Sequence, residues 1–385
     1  MASLQHIRKY LDSRLHPYLS DLRTLTAIDS GSEHKEGVNQ VQDWLQVRLE
    51  KMGCTVERYP EAHYGDHLLA TLVGERTGKV VLLGHSDTVY PVGTGALRPL
   101  TINGDTILGP GTCDMKAGLL SGIYAMEALQ QTGFQDFGTI AFLSVSDEET
   151  GERCSPPLIR QVSQGADAVL TLEAARENGD IVTARKAIAW YTLDARGRSA
   201  HAGVEPEKGR NAILGLAQVL QMLNQLNECQ PGVTINIGTV EGGSRPSVVP
   251  DSAIAQLDLR AWSQADMDAA AAQMASVVTA AEVDGVSFSL RLQPDSIAPP
   301  LEYTPGVQHL EELAQSVAQT LGFKVNGART GGSSDICFAA ETGAPGLDGL
   351  GPIGGLDHGP DEYIDMSSIV PRTALLAGLI MKILG

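Results

Sequence analysis

Apolar residues recur at three- and four-residue spacing over residues 6–28 and again over 36–52, the pattern of two amphipathic helices. The period then changes. Short β-branched runs at 55–58, 68–73, 80–84 and 139–145 are bounded by turn residues, and a helix-length segment, 116–131, precedes the last of them. Strands alternating with helices predict βαβ units and a mostly parallel sheet. The texture shifts near residue 183. Strand-like runs at 183–195, 233–240, 253–262 and 286–292 enclose helical patterns at 211–226 and 267–283. Strand, helix, two strands, helix, strand is the order of a ferredoxin-like split βαβ unit. Residues 293–300, with their prolines, read as a return linker, and helix and loop patterns resume over 310–384. The fold class predicted is α/β: a mostly parallel mixed sheet flanked by helices, with a ferredoxin-like α+β domain inserted. The expected bounds are 1–182 and 294–385 for the larger domain and 183–293 for the insert. A chain of 385 residues suits two cores better than one.

Composition narrows the function classes. The chain is 43% hydrophobic and 19% charged, within the usual globular range. A net charge of −18 speaks against non-specific nucleic-acid binding, which needs a basic face. The five cysteines, Cys54, Cys113, Cys154, Cys229 and Cys337, are scattered and form no Cys-x-x-Cys pair. Free thiols in a reducing, cytoplasmic setting are expected. The first residues lack the apolar core of a signal peptide. No membrane span is expected either: the best candidate, 374–384, is short and carries Lys382, so it reads as a buried helix.

Three apolar runs end in metal-binding side chains. Residues 79–84 lead into His85-Ser86-Asp87, 139–145 into Asp147-Glu148-Glu149, and 167–172 into Glu173. Ligands of open α/β sheets gather beyond the carboxyl ends of the strands, so three loaded ends suggest one convergent site. His85 and Asp87, two apart on an extended segment, face the same way, and a carboxylate beside a metal-bound imidazole fixes its tautomer. A structural hydrogen bond would use the same pair. Asp114 follows Gly109-Pro110-Gly111-Thr112-Cys113 and stands where an N-cap would stand. That turn lacks the Gly-Lys-Ser/Thr ending of a phosphate loop, which excludes nucleotide binding on this motif. Of the adjacent Glu148 and Glu149, one can bind a metal while the other faces a water whose pKa zinc lowers to about 7. Solvated surface acids would look the same in isolation. His201 and His358, taken singly, are more often structural. Together, however, His85, Asp114, Glu149, Glu173 and His358 make two imidazoles and three carboxylates, about the set that two zinc ions sharing a bridging carboxylate require.

Gly84-His85-Ser86-Asp87-Thr88-Val89, the run from Gly109 to Gly118, Asp147-Glu148-Glu149-Thr150-Gly151, Ser199-Ala200-His201-Ala202-Gly203 and the His358 segment resemble the co-catalytic zinc metallopeptidase family. That family includes aminoacylase, acetylornithine deacetylase, succinyl-diaminopimelate desuccinylase and glutamate carboxypeptidase. The stretch Arg329-Thr330-Gly331-Gly332-Ser333-Ser334-Asp335 and the tail after His358 look most like the glutamate carboxypeptidase branch. The resemblance implies that Asp114 bridges two Zn2+ ions, replaceable by Co2+ or Mn2+. Glu149 and His358 would complete one site, His85 and Glu173 the other. It further implies Glu148 as general base, Asp87 orienting His85, and a cis Asp114–Met115 peptide. His201 would polarise the scissile carbonyl, in dimeric members from the partner's inserted lid and dimerisation domain. Arg329 and Arg260 match positions that bind a substrate carboxylate, for which an arginine fork is well shaped. Where the family often has Asn, this chain has Ser247, which offers one donor instead of an amide pair. Arg245 is the neighbour that could take over that contact.

The function expected is release of a C-terminal, glutamate-like amino acid from peptides or N-acyl conjugates by a homodimeric enzyme. The alternatives are an N-acyl-amino-acid deacylase of the acetylornithine or succinyl-diaminopimelate type, and a non-catalytic binding protein on the same fold.

Overall fold

The computed structural model describes residues 3–135, 137–228 and 231–385. Cys229 lies outside the described residues. The chain forms two compact units: Met1–Ala184, Tyr303–Thr330 and Ser334–Gly385 make the first, Arg185–Glu302 and Gly331–Ser333 the second.

The first unit opens with α1 (Leu4–Thr26), α2 (Lys35–Glu50), β1 (Thr55–Tyr59), β2 (His67–Val73) and β3 (Lys79–His85). It continues through α3 (Thr94–Leu97), β4 (Thr101–Asn103), β5 (Thr106–Leu108), α4 (Ala117–Gln131) and β6 (Thr139–Val145). Then follow α5 (Pro156–Ser163), β7 (Ala168–Thr171) and β8 (Ile181–Arg185). The second unit contains β9 (Ala187–Arg196), α6 (Ala212–Gln225), β10 (Thr234–Gly242), β11 (Ser252–Ala261), α7 (Gln264–Ala280) and β12 (Ser287–Ala298). The first unit resumes with α8 (Pro305–Leu321), β13 (Gly327–Thr330), α9 (Ile336–Ala340), β14 (Gly346–Leu347), β15 (Gly354–Gly355), β16 (Tyr363–Asp365) and α10 (Met366–Leu384).

The central sheet of the first unit has the order β1-β2-β6-β3-β7-β14. β3 runs parallel to both β6 and β7, and β14 parallel to β7, while β1 and β2 form an antiparallel edge. All but the first residues of β3 and β6 are buried, as continuous apolar runs covered on both faces must be. Because β3, β6 and β7 point the same way, their carboxyl ends deliver His85, Glu148–Glu149 and Glu173 to one edge. The second unit is an antiparallel sheet of order β10-β11-β9-β12 with α6 and α7 packed on it. Along β11 every second residue is buried, the alternation of a sheet with one covered face.

Three expectations need correction. Residues 183–195 form two strands, not one. The break at Lys186 coincides with the change of unit, since β8 pairs with β13 whereas β9 pairs with β11 and β12. The supposed linker over 293–300 is mostly strand: β12 runs to Ala298 with a register shift between Leu292 and Ile297. Pro294 sits in that irregularity, and on an edge strand its missing N–H removes no ladder bond. Finally, the last helix starts at Met366 rather than near 374. Polar Ser368 and Arg372 hide its beginning, yet both are buried and satisfied: Ser368 donates to the Asp365 carbonyl, and Arg372 donates to the carbonyls of Gly179, Gly349 and Gly351. By length and apolarity α10 could cross a membrane, but it packs against α1, α4 and α8 within its own unit.

Arg372 thus ties α10 to the 349–351 turn. Arg372→Met would leave three carbonyls without their donor, and each buried polar group left unpaired costs roughly 1–3 kcal/mol. The expected outcome is a loss of about 3 kcal/mol in urea unfolding followed by circular dichroism. An unchanged midpoint would show that the arginine does not hold the turn.

Candidate metal centre

His85 ends β3, and its ring is fully buried. Nδ1 lies 3.1 Å from the Asp87 backbone oxygen and 3.4 Å from Asp87 Oδ1, so Nδ1 carries a hydrogen and Nε2 is the nitrogen turned toward the clustered acids. Nε2 stands 2.9 Å from Asp114 Oδ1 and 3.5 Å from Glu173 Oε1. On the other side, His358 Nε2 stands 3.2 Å from Asp114 Oδ2 and 3.1 Å from Glu149 Oε2. Each oxygen of Asp114 therefore faces a different imidazole, and each imidazole has a glutamate beside it. Nitrogen and oxygen ligands about 2.0–2.1 Å from a tetrahedral zinc stand roughly 3.3 Å apart, and all four spacings fall near that value. Glu149 Oε1 is buried with no protein partner, as a carboxylate waiting for a cation would be. The donor set fits divalent metal.

Electrostatics agree. Burial works to raise the Asp114 carboxyl, but hydrogen bonds from His358 and His85 outweigh it and hold the group well below its usual range. Hydrogen bonds to Asp114 and Glu149 lift His358 to about 10. Burial, reinforced by the charge of Asp114, pushes Glu173 up to about 7. Burial also raises Glu149 and raises Glu148 strongly. Glu148 is carried on the short turn Glu148–Thr150 beyond β6. Protons held this firmly by clustered donors are the ones a dication displaces.

Much of the centre's support was not singled out in the sequence. Glu362 is fully buried and accepts the N–H groups of Gly111 (2.7 Å), Cys113 (2.7 Å) and Asp114 (3.0 Å), cradling the loop that presents the shared carboxylate. It lies only four residues beyond His358, but nothing local in the sequence marks it as a backbone acceptor. Asp87 Oδ2 accepts from Ser32 Oγ at 2.6 Å and from the Glu149 N–H at 3.2 Å, which couples the β3 end to the β6 end. Asp357 was also passed over: its donor atom lies within 4.8 Å of those of Asp114 and His358. His358 has φ +61°, a left-handed backbone that only its surroundings can enforce on a non-glycine residue. Asp114 is no N-cap: Lys116 holds that position at the start of α4, and the Asp114–Met115 peptide is cis, as the resemblance implies. Immediately beyond, Gly118 lets α4 approach β7 so closely that a Cβ would sit 1.8 Å from the Leu172 oxygen.

The remaining candidates stand on other elements. Arg329 is exposed on β13, its guanidinium 5.4 Å from the Tyr303 ring centre. His201, Ser247 and Arg260 belong to the second unit. There, the Ala202 N–H donates to the Ser247 carbonyl at 2.9 Å, and His201 Nδ1 accepts the Gly203 N–H at 3.2 Å. Arg260 is paired with Asp258 at 2.9 Å and donates to the Gly331 carbonyl at 2.6 Å.

Residues 81–382 match the family model described as peptidase family M20/M25/M40. Carboxypeptidase G2 of Pseudomonas sp. strain RS-16 is 29% identical over 376 residues, which span 95% of this chain and 89% of that protein. Succinyl-diaminopimelate desuccinylase of Maricaulis maris is 26% identical, spanning 91% and 90%. Among solved structures, aminopeptidase PepT of Bacillus cereus shares the fold with a TM-score of 0.81 at 24% identity, covering 96% of this chain and 98% of that one.

The Glu362 cradle can be tested directly. Glu362→Gln keeps the shape but leaves one acceptor oxygen for three N–H groups. It is expected to weaken zinc binding about 10–100-fold, the usual effect of removing a ligand's support, as read by zinc retained against a competing chelator. Wild-type retention would detach the cradle from the centre.

Proposed function

The chain belongs to peptidase family M20/M25/M40, whose members are metal-dependent, and from that premise we propose a two-zinc amidohydrolase that releases a C-terminal, glutamate-like amino acid from small peptides or N-acyl conjugates. One observation carries this: the two oxygens of Asp114 face two separate imidazoles, each backed by a glutamate. In this reading His85, Asp114 and Glu173 hold one ion, and Asp114, Glu149 and His358 the other. When bound, the pair supplies Lewis acidity, which acidifies water and draws electron density from a carbonyl. Asp87 keeps the His85 lone pair aimed inward. Glu148 takes the proton of the attacking water and passes it to the leaving amine. His201 donates to the oxyanion that develops on the scissile carbonyl.

Arg329 and Arg260 are proposed to receive the substrate carboxylate, with Ser247 or Arg245 filling the remaining contact. Arg329 is the better placed by its own contacts, since it is exposed and its ring partner leaves its donors available, whereas Arg260 is engaged by Asp258. The likeness to carboxypeptidase G2 supports a carboxypeptidase; the likeness to succinyl-diaminopimelate desuccinylase supports the N-acyl deacylase as a second reading. The proposal includes a homodimer built through the inserted unit and a reducing, cytoplasmic setting. The latter is supported by Cys54, Cys113, Cys154 and Cys337, which form no disulfide.

Two measurements decide the main points. Glu148→Ala, with zinc content verified, is expected to lose about 10²–10⁴-fold in kcat, the range for a general base. Near-wild-type turnover would remove Glu148 from that role. A panel of N-acylated glutamates, dipeptides, N-acetylornithine and succinyl-diaminopimelate should favour the C-terminal glutamates. Arg329→Ala should cost those substrates about 10–100-fold in kcat/KM, the worth of one charge-assisted contact. Preference for N-acetylornithine, or indifference to the arginine, would favour the deacylase.

A further inference from the structure

Within the first unit, the structure gathers Glu61, His67 and Cys154, whose donor atoms all lie within 4.8 Å of one another. None of the three belongs to the centre described above. His67 opens β2 and is 1% exposed. Its Nδ1 lies 3.0 Å from Ser146 Oγ, and that hydroxyl donates its own hydrogen to the Gly65 carbonyl at 2.5 Å. A hydroxyl already spent as donor must accept from the ring, which assigns the hydrogen to Nδ1 and leaves Nε2 with its lone pair. The lone pair is aimed at Cys154 Sγ, 3.6 Å away, and Glu61 Oε1, 3.7 Å away. Burial lowers the imidazole's pKa and keeps it neutral, the form that binds metal.

The spacing is that of a coordination shell. A tetrahedral zinc with Zn–S of about 2.3 Å and Zn–N of about 2.0–2.1 Å sets S and N roughly 3.6 Å apart, the observed separation. The corresponding N–O edge is roughly 3.3 Å against 3.7 Å for Glu61, whose partly exposed carboxylate is free to draw in. One thiolate and one carboxylate would neutralise a dication. Asp147 adds negative potential alongside, its Oδ2 accepting the N–H groups of Cys154 (2.6 Å) and Ser155 (3.2 Å).

We propose that Glu61, His67 and Cys154 form a separate site for a borderline-soft divalent cation of the zinc type, with a fourth position for water. On binding, the Cys154 S–H bond breaks, its proton leaves to solvent, and the sulfur electron pair forms the bond to the metal. Cys154 lies five residues beyond Glu149, so an ion here pins to β2 the loop that carries Glu148 and Glu149. It is a positioning device rather than a reaction centre.

Cobalt distinguishes this site from the other, because His85, Asp114, Glu149, Glu173 and His358 offer only nitrogen and oxygen. Chelator-stripped full-length protein titrated with Co2+ is expected to develop a near-ultraviolet thiolate-to-cobalt charge-transfer band. The band should vanish in Cys154→Ser and survive both His85→Ala and Cys113→Ser, the latter excluding the thiol next to Asp114. Absence of the band, or its survival in Cys154→Ser, would overturn the assignment. Glu61→Gln, at the partly exposed rim, guards against loss of the fold in the buried variant. It is expected to weaken the cobalt affinity read from that band at least about tenfold, or 1.4 kcal/mol; unchanged affinity would remove the carboxylate and with it the three-donor site.

Discussion

The structure of the first unit is organised around one shared carboxylate. Asp114 offers one oxygen to His85 and the other to His358, residues that lie 273 positions apart in the chain. Holding it there requires an extended Asp114, a carboxylate cradle behind it, and an α4 that begins just beyond it at very close range to β7. Each requirement reaches into a different part of the fold. The cradle comes from Glu362, just before β16; the close approach depends on Gly118; and the turn that abuts Glu173 is tied down by Arg372 from α10.

Gathering this many acids in one buried place opposes their ionisation. Burial raises Glu148, Glu149, Glu152, Glu173, Asp335 and Glu362 together. The fold sorts them by partner. Glu362, Asp87 and Asp147 each accept backbone N–H groups, which support a carboxylate without neutralising it, although Oδ1 of Asp87 and of Asp147 has no hydrogen-bond partner. Asp114, Glu149 and Glu173 instead face the Nε2 atom of an imidazole. Acids tied by the backbone are scaffold, and acids left facing each other across imidazoles are where a cation belongs.

The outline of the fold was legible along the chain because it follows from periodicity. Continuous apolar runs marked β3 and β6 as buried strands, three- and four-residue spacing marked α1 and α2, and a change of texture marked the inserted unit. Failures came where a polar residue carries the packing. Arg372 and Ser368 disguised the start of α10, because their partners are carbonyls and a hydroxyl-facing turn drawn from other segments. Pro294 disguised the continuation of β12, because only the pairing of the sheet shows that strand to be an edge.

By itself the sequence determined the outline of the longer secondary elements, the family, and which residue types could bind a metal, since these depend on local pattern and residue type. Only the tertiary structure decided that the two oxygens of Asp114 look in opposite directions, that Glu362 rather than a helix cap secures the Asp114 loop, and that His67, Cys154 and Glu61 converge. Those are facts of direction and distance between segments far apart in the chain. A linear pattern records what each residue can do; the parallel alignment of β3, β6 and β7, and the turns beyond them, settle which residues are close enough to do it together.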